Sequence, residues 1–124
     1  MIPERKRDLE DRLVELAIRV VKLTQGMRSG PAGRYYGDQI LRSSGSAALN
    51  YAESQGGETH RDFTHKLKVA RKEIRETGIS MRIIRGAELH PDFEQLSAMQ
   101  LELKELLAIL TAAVLTAEKR SPRK

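Results

Sequence analysis

The sequence predicts an all-α protein, an antiparallel up-and-down bundle of four helices in a single domain of 124 residues. Three observations carry that expectation. Apolar residues recur every three or four positions in four separate segments. Stretches rich in Gly, Pro and polar residues divide those segments. No run alternates in the period of a strand, and β-branched residues are scattered.

The first helix is predicted over residues 4–25, with Leu9, Leu13, Leu16, Val20 and Leu23 on one face. Pro3 suits a first turn, and Glu4, Asp8, Glu10 and Asp11 crowd the positive end of its dipole. Three Gly and Pro31 in segment 26–33 are expected to end it. The second helix, 34–54, has a thin apolar line of Tyr36, Ile40, Ala47 and Tyr51 among small residues. After a turn at 55–58, Thr59 is the expected N-cap of a third helix over 60–86, with Asp62 three residues on. Its core line is Phe63, Leu67, Ala70, Ile74, Thr77, Met81 and Ile84. Gly78 within it marks a local weakness or a close approach. His90-Pro91-Asp92 breaks the chain. The fourth helix, 92–119, runs on Leu96, Met99, Leu103, Leu106, Leu110, Ala113 and Ala117 in a heptad-like seam, which Leu107 and Val114 widen. Residues 120–124 are expected to fray.

Composition excludes several classes. With no Cys there is no disulfide framework, thiolate zinc site, iron–sulfur cluster or Cys nucleophile. Two Phe, three Tyr and no Trp argue against an aromatic platform for stacking single-stranded bases. The longest nearly apolar run, 106–117, is short of the roughly 20 residues of a membrane span, and the N-terminus lacks a signal-peptide pattern. A cytoplasmic protein without membrane partners is expected.

The net charge of +5 is unevenly placed: residues 59–88 hold eight basic and four acidic side chains, while the rest is nearly balanced. Around the third helix, Arg61, His65, Lys68, Lys72, Arg75 and Arg82 share one face, roughly opposite Phe63, Ala70, Ile74 and Met81. Such a ridge can lie along RNA or DNA phosphates without reading sequence; it can equally be a solvated face, or meet an acidic protein partner. On the second helix Gln39, Arg42, Ser43, Ser46, Asn50 and Glu53 form a polar stripe beside the apolar line. It fits an interhelix or intersubunit hydrogen-bonded network with Glu73 as a further member, or else a ligand groove.

The run Gln39-Ile40-Leu41-Arg42-Ser43-Ser44-Gly45-Ser46, then Asn50-Tyr51-Ala52-Glu53, Arg61-Asp62-Phe63, Lys66-Leu67, Ala70, Lys72-Glu73 and Arg75-Glu76-Thr77 resembles the four-helix bundle protein family, also called the 23S rRNA-intervening-sequence protein or S23 family. The motif block covers about residues 36–90. Ala47-Ala48 stands where many members carry Ile-Pro, as in a subgroup lacking that Pro. The resemblance implies an up-and-down bundle assembled as a ring-shaped homopentamer, and a tie to reading frames inserted in ribosomal RNA genes. It also implies a likeness to the accessory variability protein of diversity-generating retroelements, a basic pentamer that contacts nucleic acid and a reverse transcriptase. Gln39, Arg42, Ser46, Asn50, Glu53, Phe63 and Glu73 match the family pattern and read as architectural; the basic ridge is this chain's own feature.

Catalytic and metal motifs do not assemble. His60-Arg61-Asp62 echoes a kinase catalytic loop, but Lys66 stands where that loop needs Asn. His60 and His65 do not share a helical face well, and neither a Glu-x-x-His pair nor a His-Glu-x-x-His run exists. No catalytic residues, metal ligands or cofactors are assigned. The expectation is a non-catalytic oligomer that binds RNA or DNA through its ridge, with a scaffold for an acidic protein as the alternative.

Overall fold

Thr59 and Asp92 open two of the helices in the same way. Thr59 Oγ1 accepts from the Asp62 N–H at 3.0 Å and Asp92 Oδ1 from the Gln95 N–H at 3.0 Å. Each satisfies a donor that has no partner inside its helix. The computed structural model describes residues 9–120 as four helices and no strand: α1 (Leu9–Thr24), α2 (Pro31–Gln55), α3 (His60–Gly86) and α4 (Phe93–Lys119). The expected start of the first helix at 4–8 and the tail at 121–124 lie outside the described residues.

Helix α2 begins three residues earlier than its sequence suggests. Proline suits a first helical position, where an N–H would lack a partner and φ is already helical. Pro31 takes that place, behind Gly30 at φ 118°, a conformation readily open only to glycine. Gly33, read from sequence as part of a breaker, is instead buried in the first turn beneath the Arg28 carbonyl. A Cβ there would lie 1.8 Å from that oxygen. Arg28 is held from the other side, its N–H donating to Leu89 O at 2.8 Å and its Nε to Glu88 O at 2.6 Å. The α1–α2 and α3–α4 connections therefore meet at one end. His90, also buried, packs there against Gly26 and accepts the Asp92 N–H on Nδ1 at 3.1 Å.

One apolar core unites the four helices, with Leu13, Leu16 and Val20 of α1, Ile40 and Ala47 of α2, Leu67, Ile74 and Met81 of α3, and Leu96, Met99 and Leu106 of α4. Near the end of α4 the seam steps from Leu110 to Val114, and Ala113 is only half-buried. A straight helix drifts about 20° per heptad against a strict seven-residue repeat, which turns Val114 inward after two heptads. Phe63 is likewise half-buried rather than in the core, beside His60. No heavy atom stands within 4 Å of a Cβ placed at Gly78, so this glycine serves no close approach.

Side-chain pairs set the register of neighbouring helices. Between α2 and α3 they are Glu53 with Lys66, Ser46 with Glu73 and Arg42 with Glu76. Between α3 and α4 they are Lys68 with Glu118 and Arg85 with Gln100. In both sets residue numbers rise along one helix as they fall along the other. Helix α1 is tied to α4 by Arg12, which donates to Glu102 at 2.8 Å and 3.1 Å and to Glu105. These bonds, that to Glu102 foremost, raise the guanidinium's affinity for its proton. No described helix is long and apolar enough to cross a membrane.

Candidate nucleic-acid interface

The Phe63–Met81 line turns the opposite face of α3 to solvent, and Arg61, His65, Lys68, Lys72, Arg75 and Arg82 are all exposed there. The ridge is not continuous, as the helical wheel alone suggested. Ile79 and Ile83, also exposed, project on the same face in its second half. Arg75 and Arg82 lie on the α4 side of this face, where together with Ile79 they border a groove. The uninterrupted part of the ridge is Arg61, Lys68 and Lys72 with the His65 imidazole among them, about 16 Å of helix at 1.5 Å per residue.

Within that patch Lys68 is engaged by Glu118 of α4 at 2.8 Å. Its hydrogen bond holds the Glu118 carboxyl below the usual carboxylate range. The stabilisation from this pair is thus present at neutral pH and is lost as pH falls through that lowered value; both groups are solvated, so it is small. Arg61 and Lys72 have no carboxylate partner among the described residues. His60, next to the patch, is turned inward and donates from Nε2 to Ala117 O at 2.8 Å, closing the last turn of α4.

The polar stripe of α2 faces α3 in the same chain. Arg42 Nη1 reaches Glu73 at 3.2 Å and its Nη2 reaches Glu76 at 2.9 Å. The Arg42 guanidinium is held above its ordinary range, chiefly by Glu76 and then by Glu73. Ser46 Oγ donates to Glu73 at 3.3 Å, and Asn50 Nδ2 donates to Ser46 Oγ at 3.1 Å and to Ser46 O at 2.9 Å. Ser43 and Thr77 hydroxyls meet at 2.6 Å, both fully buried. Glu53 binds Lys66 at 2.7 Å, nearer the α2–α3 turn. Gln39 is half-buried at the far end of the stripe. The space a ligand groove would need between Ser43 and Ser46 is taken by Thr77 and Glu73. Glu73, 7% exposed, is the buried charge at the centre, and every buried polar side-chain atom among the described residues has a partner.

Two features escaped the sequence reading. The first is the Arg12 clamp on Glu102 and Glu105, because nothing local links residues 90 positions apart. The second is the groove between α3 and α4, about 710 Å³, lined by the buried Ile74 and Leu103, by the exposed Ile79 and Leu101, and by Arg75, Arg82, Arg85 and Lys104. Gly78 and Ser97 leave the space that larger residues would fill. Among the described residues no three His, Asp or Glu side chains come together as a metal site would require.

Comparison with known proteins agrees with this architecture. A family model described as 23S rRNA-intervening sequence protein matches residues 6–112. No curated protein matches the chain significantly. Among solved structures, a protein of unknown function from the S23 ribosomal protein family of Bacteroides thetaiotaomicron VPI-5482 is similar. Its TM-score is 0.75 at 25% sequence identity, over 86% of this chain and 98% of that one.

Proposed function

The chain belongs to the 23S rRNA-intervening sequence protein family, and on that premise we propose that it is a non-catalytic, cytoplasmic, antiparallel four-helix bundle that self-associates and binds RNA or DNA by the phosphates. The observation that carries the reading is the exposed basic patch of Arg61, Lys68 and Lys72, with His65 among them, on one face of α3; Arg61 and Lys72 have no carboxylate partner among the described residues. Phosphate contacts need positive charge at spacings of a few ångströms and no base-specific chemistry. This patch has charge without the aromatic side chains that would stack bases. Self-association, into the homopentameric ring that the family resemblance implies, is supported by a different surface. Val14, Ile18 and Val21 form one exposed apolar line on α1, and Ile79 and Leu101 are exposed together along the α3–α4 groove; contiguous apolar surface of this kind is what an interface covers. The α2 stripe, spent inside the chain, lends that assembly no support.

Fluorescence anisotropy with a labelled structured RNA and a labelled DNA duplex tests the binding. Reversing Arg61 and Lys72 together to Glu is expected to weaken both complexes by at least about tenfold at low salt. Reversing Lys22 on α1 should leave them unchanged. Equal affinity of the ridge variant and the parent would contradict the reading.

A further inference from the structure

The groove between α3 and α4 carries charge of one sign. Arg75, Arg82 and Arg85 line it from α3 and Lys104 from α4, and no carboxylate among the described residues does. The neighbouring acids point elsewhere: Glu73 and Glu76 toward Arg42, Glu102 and Glu105 toward Arg12. Arg85 donates to the neutral Gln100 oxygen, at 3.2 Å. Among these cations the lining is apolar, with Leu101 70% exposed and Ile79 48% exposed. Gly78 lines it too. A glycine weakens the interior of a helix, and no neighbouring side chain or backbone among the described residues comes within 4 Å of a Cβ placed there. Its missing side chain thus serves no packing within the chain and deepens the groove.

The lining selects its occupant. The cations run about 15 Å along α3 from Arg75 to Arg85, with Lys104 on the other wall, so a molecule with one anionic head would meet one and leave the rest. A nucleic-acid backbone would match the cations and leave Ile79 and Leu101 uncovered. The walls are two helices whose interior backbone groups are satisfied within them, so an extended peptide would find no main-chain partners there. A helix arrives with its own already paired. The exposed line of α1, Val14-Ile18-Val21, does not supply an acidic face from a second copy. Lys22 lies beside it, and Asp11 and Glu15 are already engaged.

We propose that the groove seats an acidic amphipathic helix of another protein, about three turns long. Its apolar side chains, at i, i+4 and i+7, rest on Ile79 and Leu101 and enter the room left by Gly78, and its flanking carboxylates meet Arg75, Arg82, Arg85 and Lys104. Self-association is then left to the α1 line. The groove shares no residue with the Arg61–Lys72 patch, so the proposal does not rest on the nucleic-acid reading and fails separately from it.

The probe is a labelled synthetic helix with Leu at i, i+4, i+7 and i+11 and Glu on both flanks, titrated with the full chain by fluorescence anisotropy. One control peptide carries Lys for each Glu, and another has the same composition scrambled so that no apolar face forms. The Glu helix should bind at least about tenfold tighter than either control. Gly78→Leu fills the groove with a better helix former, and circular dichroism checks that it is folded; it should weaken the Glu helix by at least about tenfold, as should Leu101→Asp. Gly78→Leu should leave binding of a DNA duplex unchanged, whereas reversing Arg61 and Lys72 should leave the Glu helix bound. Controls that bind as tightly as the Glu helix, or a Gly78→Leu protein that binds it like the parent, overturn the proposal. A DNA affinity that falls with Gly78→Leu overturns it in favour of nucleic acid in the groove. Sedimentation velocity supplies the last outcome: a parent assembly that Leu101→Asp breaks apart would show that a second copy covers the groove, and overturns it also.

Discussion

Gly33→Ala is expected to lower stability by about 3 kcal/mol, at the upper end of what overpacking a tight site costs. For a domain of this size that is a fall in Tm of roughly 12 °C or more. The reason is the Arg28 carbonyl, which would stand 1.8 Å from the new Cβ. That carbonyl belongs to backbone rather than to a yielding side-chain tip. Its residue is pinned by the bonds from Arg28 to Leu89 and Glu88, so the α1–α2 connection cannot lift without breaking its tie to the α3–α4 connection. Thermal denaturation followed at 222 nm measures the loss. Gly45→Ala on the same helix meets nothing within 4 Å and serves as the control. It should gain up to about 1 kcal/mol from helix propensity alone. A Gly33→Ala protein as stable as the parent would show that the connection does not rest on this residue.

The second large effect is expected at Arg42. Glu73 is buried while its partner Arg42 is half exposed, so the two ends of the pair are not equivalent. Truncation to Arg42→Ala leaves a buried carboxylate with the Ser46 hydroxyl as its remaining side-chain donor among the described residues. The cost of orphaning a buried charge is about 3–5 kcal/mol; the solvent already around Arg42 reduces this to about 2 kcal/mol. Glu73→Gln, which keeps the shape and can still meet Arg42 and Ser46 with its oxygen, should lose less than Arg42→Ala. Urea denaturation of the two variants beside the parent gives the comparison. An Arg42→Ala protein no less stable than Glu73→Gln would mean that Glu73 is not the group left unsatisfied.

The helices were legible because packing four of them round one core imposes a period of 3.6 on each, and Leu9 to Leu23 or Leu96 to Leu110 show it without help from the rest of the chain. The start of α2 was not, because Gly30, Pro31 and Gly33 have two meanings. They break a helix at its middle, and they begin one when a proline needs no N–H and a carbonyl needs room. Only the position of Arg28 distinguishes the two. The α2 network could be anticipated, down to Glu73, since small and polar residues beside an apolar line have few other uses. That it joins α2 to α3 within the chain depends on the register of the two helices. The ridge shows the limit of a single-helix argument. The wheel placed its cations outward, and Ile79 and Ile83, which interrupt them, stand on that same wheel; that Arg75 and Arg82 border a groove is decided by where α4 lies. The groove, made of two helices, has no signature in either.

The central claim is that α3 holds nucleic acid by charge, and its salt dependence tests that most directly. Titrating the parent protein against a DNA duplex over 50–300 mM salt should give log K falling linearly with log salt, with a slope of about −2 or steeper, from roughly 0.9 for each phosphate neutralised. Lys72→Glu should make that slope shallower by about 1. A slope near zero, or one that Lys72→Glu leaves unchanged, would contradict it.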